Sequence, residues 1–413
     1  MKTLLLACSV FLSVMGPGIA AEPNKESDKD VIYDEARVPA YDLPSLLVSA
    51  EGKPITTPDE WLHFRRPQII ALLGNLIYGT VPAAESPLKV TYSVVQTDPQ
   101  FMSGLATRKD VRIRFENAKG RAEMLILVFV PNAPPKPVPA VLMLSFDNTQ
   151  RSGFNADRTH PGLLRNGLPV GEFFKRGFGF VAVYQQDLVG HNEVEFSHSI
   201  QRLFYREGQS FPNAYEWGVI SAIAWSASRA LDYLGTDRDV DASRVAILGH
   251  SKCGKAALWA AAQDQRFALA ISAQSGHPGA ALSRRKYGET IEKMVTRFPY
   301  WLCRNAWKFA NSEEDLPVDQ HMLLACIAPR PLYVMSGVDD RWADPRGEYL
   351  SAYHASAVYR LLGKKGLDTE ASPPVGEALV KSDVGYHIRA GGHSIEMYDW
   401  LRFLEFAEYH LKK

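Results

Sequence analysis

Metal-binding spacings are missing from this chain. It has no C-x-x-C, no H-E-x-x-H and no clustered histidine pair, so no metal centre is expected. Cysteine itself is scarce, with 4 among 413 residues. Cys8 falls in the N-terminal apolar stretch, and Cys253, Cys303 and Cys326 then allow at most one internal disulfide, which excludes a disulfide-framed fold. An excess of charge is absent too: 46 basic and 46 acidic residues are interspersed, with no run of one sign. That excludes a steering patch for nucleic acid or for an acidic membrane surface. Past the N-terminus no segment approaches the roughly 20 apolar residues of a membrane span. Internal repeats, low-complexity tracts and flexible interdomain linkers are also lacking, so a single folded domain is expected.

The first residues read as an export signal. Lys2 supplies the positive start, Leu4–Met15 the apolar stretch, and Gly18-Ile19-Ala20-Ala21 the small residues for cleavage. The alternative, a lipoprotein signal at Leu5-Leu6-Ala7-Cys8, places its cysteine too early to leave a usable apolar region. The expected organisation is a signal over 1–21, a polar, Pro-containing surface arm over 22–45 and an α/β domain over 46–413, exported to periplasm or medium.

The most informative residues are Gly249-His250-Ser251-Lys252-Cys253-Gly254, between a short apolar strand, Arg244–Leu248, and an Ala- and Leu-rich helix, Gly254–Gln263. An esterase keeps its nucleophile on such a strand-to-helix elbow, where helical N–H groups face the developing oxyanion. The pattern is G-x-S-x-x-G rather than the commoner G-x-S-x-G, and a glycine-flanked serine also occurs as a plain structural turn. Cys253 reads as helix packing, since Ser251 holds the apex.

An acid and a histidine follow in the chain order of an α/β-hydrolase. After strand Pro331–Met335, the turn Gly337-Val338-Asp339-Asp340 delivers a carboxylate, with Asp340 preferred and Asp339 one residue short. After strand Val384–Arg389 comes Ala390-Gly391-Gly392-His393, read as a mobile glycine loop ending in the candidate base, His393, ahead of helix Glu396–Leu411. Each has a plainer reading, Asp340 as a turn former and His393 as a surface residue beside a helix.

Strands are expected at Lys89–Gln96, Asp110–Phe115, Glu123–Val130, Ala140–Phe146 and Phe178–Tyr184, with helices at Pro58–Tyr78 and Tyr215–Leu234. The succession predicts an α/β-hydrolase fold, a three-layer sandwich around a mostly parallel sheet. Two irregular stretches, Asp147–Val170 and Asp187–Asn213, are expected to build the cleft. They are too polar for a lipase-type lid.

Six blocks, namely Trp217–Gly235, Val240–Trp259, Ser275–Thr290, Pro317–Pro331, Trp342–Gly347 and Arg389–Trp400, resemble the glucuronoyl esterases of carbohydrate esterase family 15, in particular its bacterial branch. The resemblance runs from about residue 40 to the end. It implies hydrolysis of the ester between glucuronic or 4-O-methylglucuronic acid groups of plant xylan and lignin alcohols, with no metal or cofactor; a monomer is the expected state. It further implies Ser251 as nucleophile, His393 as base, Lys255 as a donor to sugar hydroxyls, and Glu289 and Trp342 as uronate contacts. Solvated or packing roles are the plainer readings of the last three.

Two positions depart from the family pattern. Many members carry the triad acid as a Glu where this chain has Gln274, which leaves Asp340 as the well-placed acid. Where the family commonly has an oxyanion-holding Arg after the nucleophile, this chain has Lys252, whose point charge does not copy a planar fork. Two other functions therefore stay open at this stage, a carbohydrate esterase of another acyl specificity (acetyl or feruloyl type) and a non-catalytic uronate-binding homologue.

Overall fold

The computed structural model describes residues 30–149, 152–190, 196 and 198–412. The expected export signal and Cys8 lie outside them, as do the start of the expected arm and parts of both irregular stretches.

The described residues build one ten-stranded sheet in the order β1-β2-β3-β5-β4-β6-β7-β8-β10-β9. Its first part is an antiparallel meander of β1 (Lys89–Gln100), β2 (Ala106–Asn117) and β3 (Gly120–Pro131). Six strands are mutually parallel: β4 (Val138–Ser145), β5 (Gly179–Tyr184), β6 (Val240–His250), β7 (Leu269–Ala273), β8 (Leu332–Gly337) and β10 (Val384–Arg389). A short β9 (Ala378–Leu379) closes the far edge.

Parallel strands covered on both faces read as near-continuous apolar runs, and β6 illustrates this. Val245 and Ile247 enter one core and Ala246 and Leu248 the other, all fully buried. These two cores, one on each face of the sheet, make the expected three layers.

Among the described residues the α-helices longer than a single turn are α1 (Arg66–Leu73), α2 (Val170–Lys175), α3 (Val219–Leu234), α4 (Lys252–Gln263), α5 (Ile291–Arg297), α6 (Gln320–Ala325), α7 (Pro345–Leu361) and α8 (Met397–Leu411). Small alanines let α4 lie close to α3, and Trp259 Nε1 crosses between them to Ser221 Oγ at 2.7 Å. The helix expected over Pro58–Tyr78 is a continuous helical run, with wider π turns at Trp61–Arg65 and Gly74–Tyr78. It ends where Gly79 turns at φ 81°; a Cβ there would stand 2.3 Å from the Glu216 carbonyl oxygen.

Residues 32–413 form one compact unit. From Ile32 on, the stretch expected as a surface arm is tied into it: Arg285 Nη2 meets Glu35 Oε1 at 2.6 Å, and the Tyr287 hydroxyl donates to the Tyr33 carbonyl at 3.1 Å.

Candidate active site

The parallel strands β6, β8 and β10 end side by side with β7 on one rim of the sheet, and the singled-out residues follow these ends. Ser251 sits between β6 and α4 at φ 55° and ψ −128°, a region side chains rarely adopt. Such strain persists only where the surroundings impose it. Here two glycines do so. A Cβ on Gly249 would lie 2.0 Å from the Cys253 carbonyl oxygen, and one on Gly254 would lie 2.9 Å from Ser275 Cβ. The second close approach falls at Gly254, which accounts for the unusual G-x-S-x-x-G spacing. The helix begins at Lys252, two residues before the expected start, so its first N–H groups open directly beside the serine. Cys253 is fully buried and burial pushes its thiol up to about 12, as expected of a packing residue.

Asp340 and His393 are joined, with Nδ1 of the imidazole 2.7 Å from Asp340 Oδ2. A carboxylate there accepts the Nδ1 proton and leaves Nε2 as the basic nitrogen. Asp339 is exposed and points the choice to Asp340, which is buried. The two loops are zipped together by backbone bonds, Val338 N–H to Arg389 O at 2.9 Å and Asp339 N–H to Gly391 O at 3.1 Å. Gly337 makes this possible, since a Cβ there would stand 2.7 Å from Gly391 O. The expectation of a mobile glycine loop is therefore corrected, because hydrogen bonds hold this loop on both flanks.

The ring of His250, the neighbour of Ser251, lies 4.5 Å from that of His393. This brings the base to the elbow. No hydrogen bond joins Ser251 Oγ to another described side chain. Catalytic hydrogen bonds are often long before substrate binds.

Lys252 is almost fully buried, its ammonium 5.0 Å from the Trp301 ring centre and 5.7 Å from that of Phe146. Burial lowers its pKa to about 8.

Lys255, Glu289 and Trp342 also come together. Glu289 Oε2 accepts from Lys255 Nζ at 2.7 Å and Oε1 from Trp342 Nε1 at 2.9 Å. Burial raises the Glu289 carboxyl, and the Lys255 ammonium opposes the rise. The expectation of Lys255 as a direct sugar donor is not met in this arrangement. Its side chain is 2% exposed, and its three N–H donors go to Glu289 and to the Ser275 and His277 carbonyls. It holds Glu289, which in turn orients Trp342.

Several site residues escaped sequence reasoning. Gln274 is more than a missing acid: its amide links His250 Nε2, at 3.1 Å, to Gly392 O, at 2.7 Å. Arg389 and Asp399 pair at 2.8 Å beneath the His393 loop. Both lie inside the block Arg389–Trp400, where an arginine before the glycines and the acids Glu396 and Asp399 after them were the available signal. A cavity of about 200 Å³ opens beside His250, lined among others by Met143, Phe146, Phe154, Ile395 and Trp400.

A serine on a strained strand-to-helix elbow, an imidazole–carboxylate pair and an α/β-hydrolase sheet together define a carboxylic ester hydrolase. Comparison with known proteins narrows the class. The family model described as "Glucuronyl esterase, fungi" matches residues 173–363. A solved glucuronoyl esterase from Solibacter usitatus is 40% identical with a TM-score of 0.83, covering 91% of this chain and 99% of its own. The carbohydrate esterase MZ0003, from an unknown prokaryotic organism, is 37% identical over 99% of this chain and 98% of its own length. A 4-O-methyl-glucuronoyl methylesterase from Schizophyllum commune is 27% identical over 84% and 80%. The chain belongs to the glucuronoyl esterases of carbohydrate esterase family 15.

Proposed function

We propose that this chain hydrolyses glucuronic and 4-O-methylglucuronic acid esters of xylan side groups with lignin alcohols, through the triad Ser251–His393–Asp340. The observation that carries the reading is the 2.7 Å Asp340–His393 contact beside a serine held at positive φ. As Ser251 Oγ attacks the uronoyl carbonyl carbon, its proton passes to His393 Nε2. The developing oxyanion is held by the backbone N–H of Lys252 at the start of α4 and by its ammonium. His393 then gives the proton to the leaving alcohol as the C–O bond breaks. Water repeats the attack on the acyl-enzyme and frees the acid.

The two halves of the substrate divide along the sheet. Glu289 and Trp342, held in place by Lys255, gather on the β7–β8 flank of Ser251 and would take the sugar, with Trp342 as its platform. The cavity beside His250, on the β4 flank, would take the alcohol. Expected residence is outside the cytoplasm, supported by the N-terminal export pattern; among the described residues no helix is long and apolar enough to cross a membrane. A monomer requires no further element.

The test is kcat/KM on benzyl glucuronate beside 4-nitrophenyl acetate, with Ser251→Ala as control. The reading predicts clear preference for the glucuronate and its loss in the variant. Turnover of the acetate alone would assign the chain another acyl specificity, and turnover of neither would remove catalysis altogether.

A further inference from the structure

We infer that Gln274 and Arg389 are positioning residues that bracket the loop carrying His393, and that glutamine stands at 274 because the bracket needs an amide there. The inference rests on His393 being the base.

Arg389 ends β10, and its guanidinium turns back under the residues that follow. Nη1 donates to Ala390 O at 2.7 Å; Nη2 donates to Ser394 O at 2.6 Å, to Ser394 Oγ at 2.9 Å and to Gly392 O at 3.3 Å. One planar fork thus gathers carbonyls on both sides of His393. Lysine has no such fork. The guanidinium is itself fixed, since Nε donates to Asp399 Oδ2 at 2.8 Å. Asp399 Oδ1 lies 2.8 Å from Nε2 of the fully buried His387, whose Nδ1 is 2.8 Å from the Tyr333 hydroxyl. The polarity is consistent along this chain: Tyr333 donates to His387, His387 donates to Asp399, and Asp399 accepts from Arg389.

Gln274 approaches the same carbonyl from β7. Gly392 O only accepts, so the amide N–H must face it, and Oε1 must face His250. Nε2 of His250 then carries a proton and the ring is neutral, in keeping with a pKa that burial lowers to about 3. That neutral ring lies against His393, with ring centres 4.5 Å apart and planes tilted by 39°. A carboxylate at 274 would set lone pairs against Gly392 O and push the loop away. The residue that looks like a lost triad acid is therefore one arm of the clamp on the base.

The experiment measures kcat and KM of Gln274→Glu, Gln274→Met and Arg389→Lys, each alone and Gln274→Glu also with Asp340→Asn, on both benzyl glucuronate and 4-nitrophenyl acetate. Circular dichroism monitors folding. A displaced base should lower kcat by about 10²-fold on both esters while KM changes by less than about threefold. Gln274→Glu should not restore the Asp340→Asn enzyme. Parent-level kcat in Gln274→Glu, or its rescue of Asp340→Asn, would make position 274 an acid site and overturn the bracket. Unchanged kcat in Gln274→Met or Arg389→Lys would overturn it too, and misfolding of all three would assign these residues to stability alone. Failure of the underlying reading is separate: it would appear as turnover surviving Ser251→Ala.

Discussion

Lys252 places a buried cation directly after the serine of the elbow. Its ammonium is buried against two aromatic rings and its pKa is lowered to about 8, so the charge is present at neutral pH and is lost as pH rises through that value. If the charge helps hold the oxyanion, kcat/KM falls above about pH 8. Lys252→Arg should carry the fall to higher pH, because a guanidinium keeps its charge throughout this range. A pH–rate profile of the two proteins checks this, and identical alkaline limbs would contradict it. Ser251, Asp340 and His393 were legible in the sequence because local glycines and strand ends announce them. The commitment of Lys255 to Glu289 and two carbonyls was not, since it depends on contacts 20 to 34 residues away along the chain.

At the scale of elements, the site is held by what pins strand ends together. Glu348, in the first turn of α7, is fully buried. Oε1 accepts from the backbone N–H groups of Ser275 and Gly276 at 2.7 and 3.1 Å, and Oε2 from Ser336 Oγ at 2.6 Å, which ties the end of β7 to β8. Burial pushes this carboxyl from 4.5 up to about 8. The folded state therefore binds its proton more tightly than the unfolded chain does. The stabilisation is fully present below about pH 4.5 and is lost as pH rises toward 8, at roughly 1.4 kcal/mol per unit of realised shift. Glu348→Gln keeps the shape without the charge, so its Tm should gain on the parent as pH increases from 5 to 8. A Tm difference independent of pH would contradict the assignment. Here the sequence was silent: a glutamate in a helix's first turn looks like an ordinary dipole partner, and only the packing of α7 against the sheet buries it. The strand β6 and its elbow were legible for the opposite reason, since an apolar run followed by glycine, serine and alanines is a local signal.

For the whole molecule, the parallel order β5-β4-β6-β7-β8-β10 places the elbow in the middle, with the acid and base loops arriving from one side. Strand alternation and turn residues made that architecture readable. The crossing of β5 outside β4 and the clamp of Arg389 on the His393 loop were not readable, because both are set by long-range pairing. In the proposed function the Lys255–Glu289–Trp342 group and the cavity beside His250 serve opposite halves of the ester, with the sugar as the acyl half. Intact-protein mass spectrometry after rapid acid quench of the enzyme with benzyl glucuronate tests that assignment most directly. The account predicts that any trapped adduct is one glucuronoyl group mapping to Ser251 and absent from Ser251→Ala; an adduct on another residue, or turnover retained by Ser251→Ala, would contradict it.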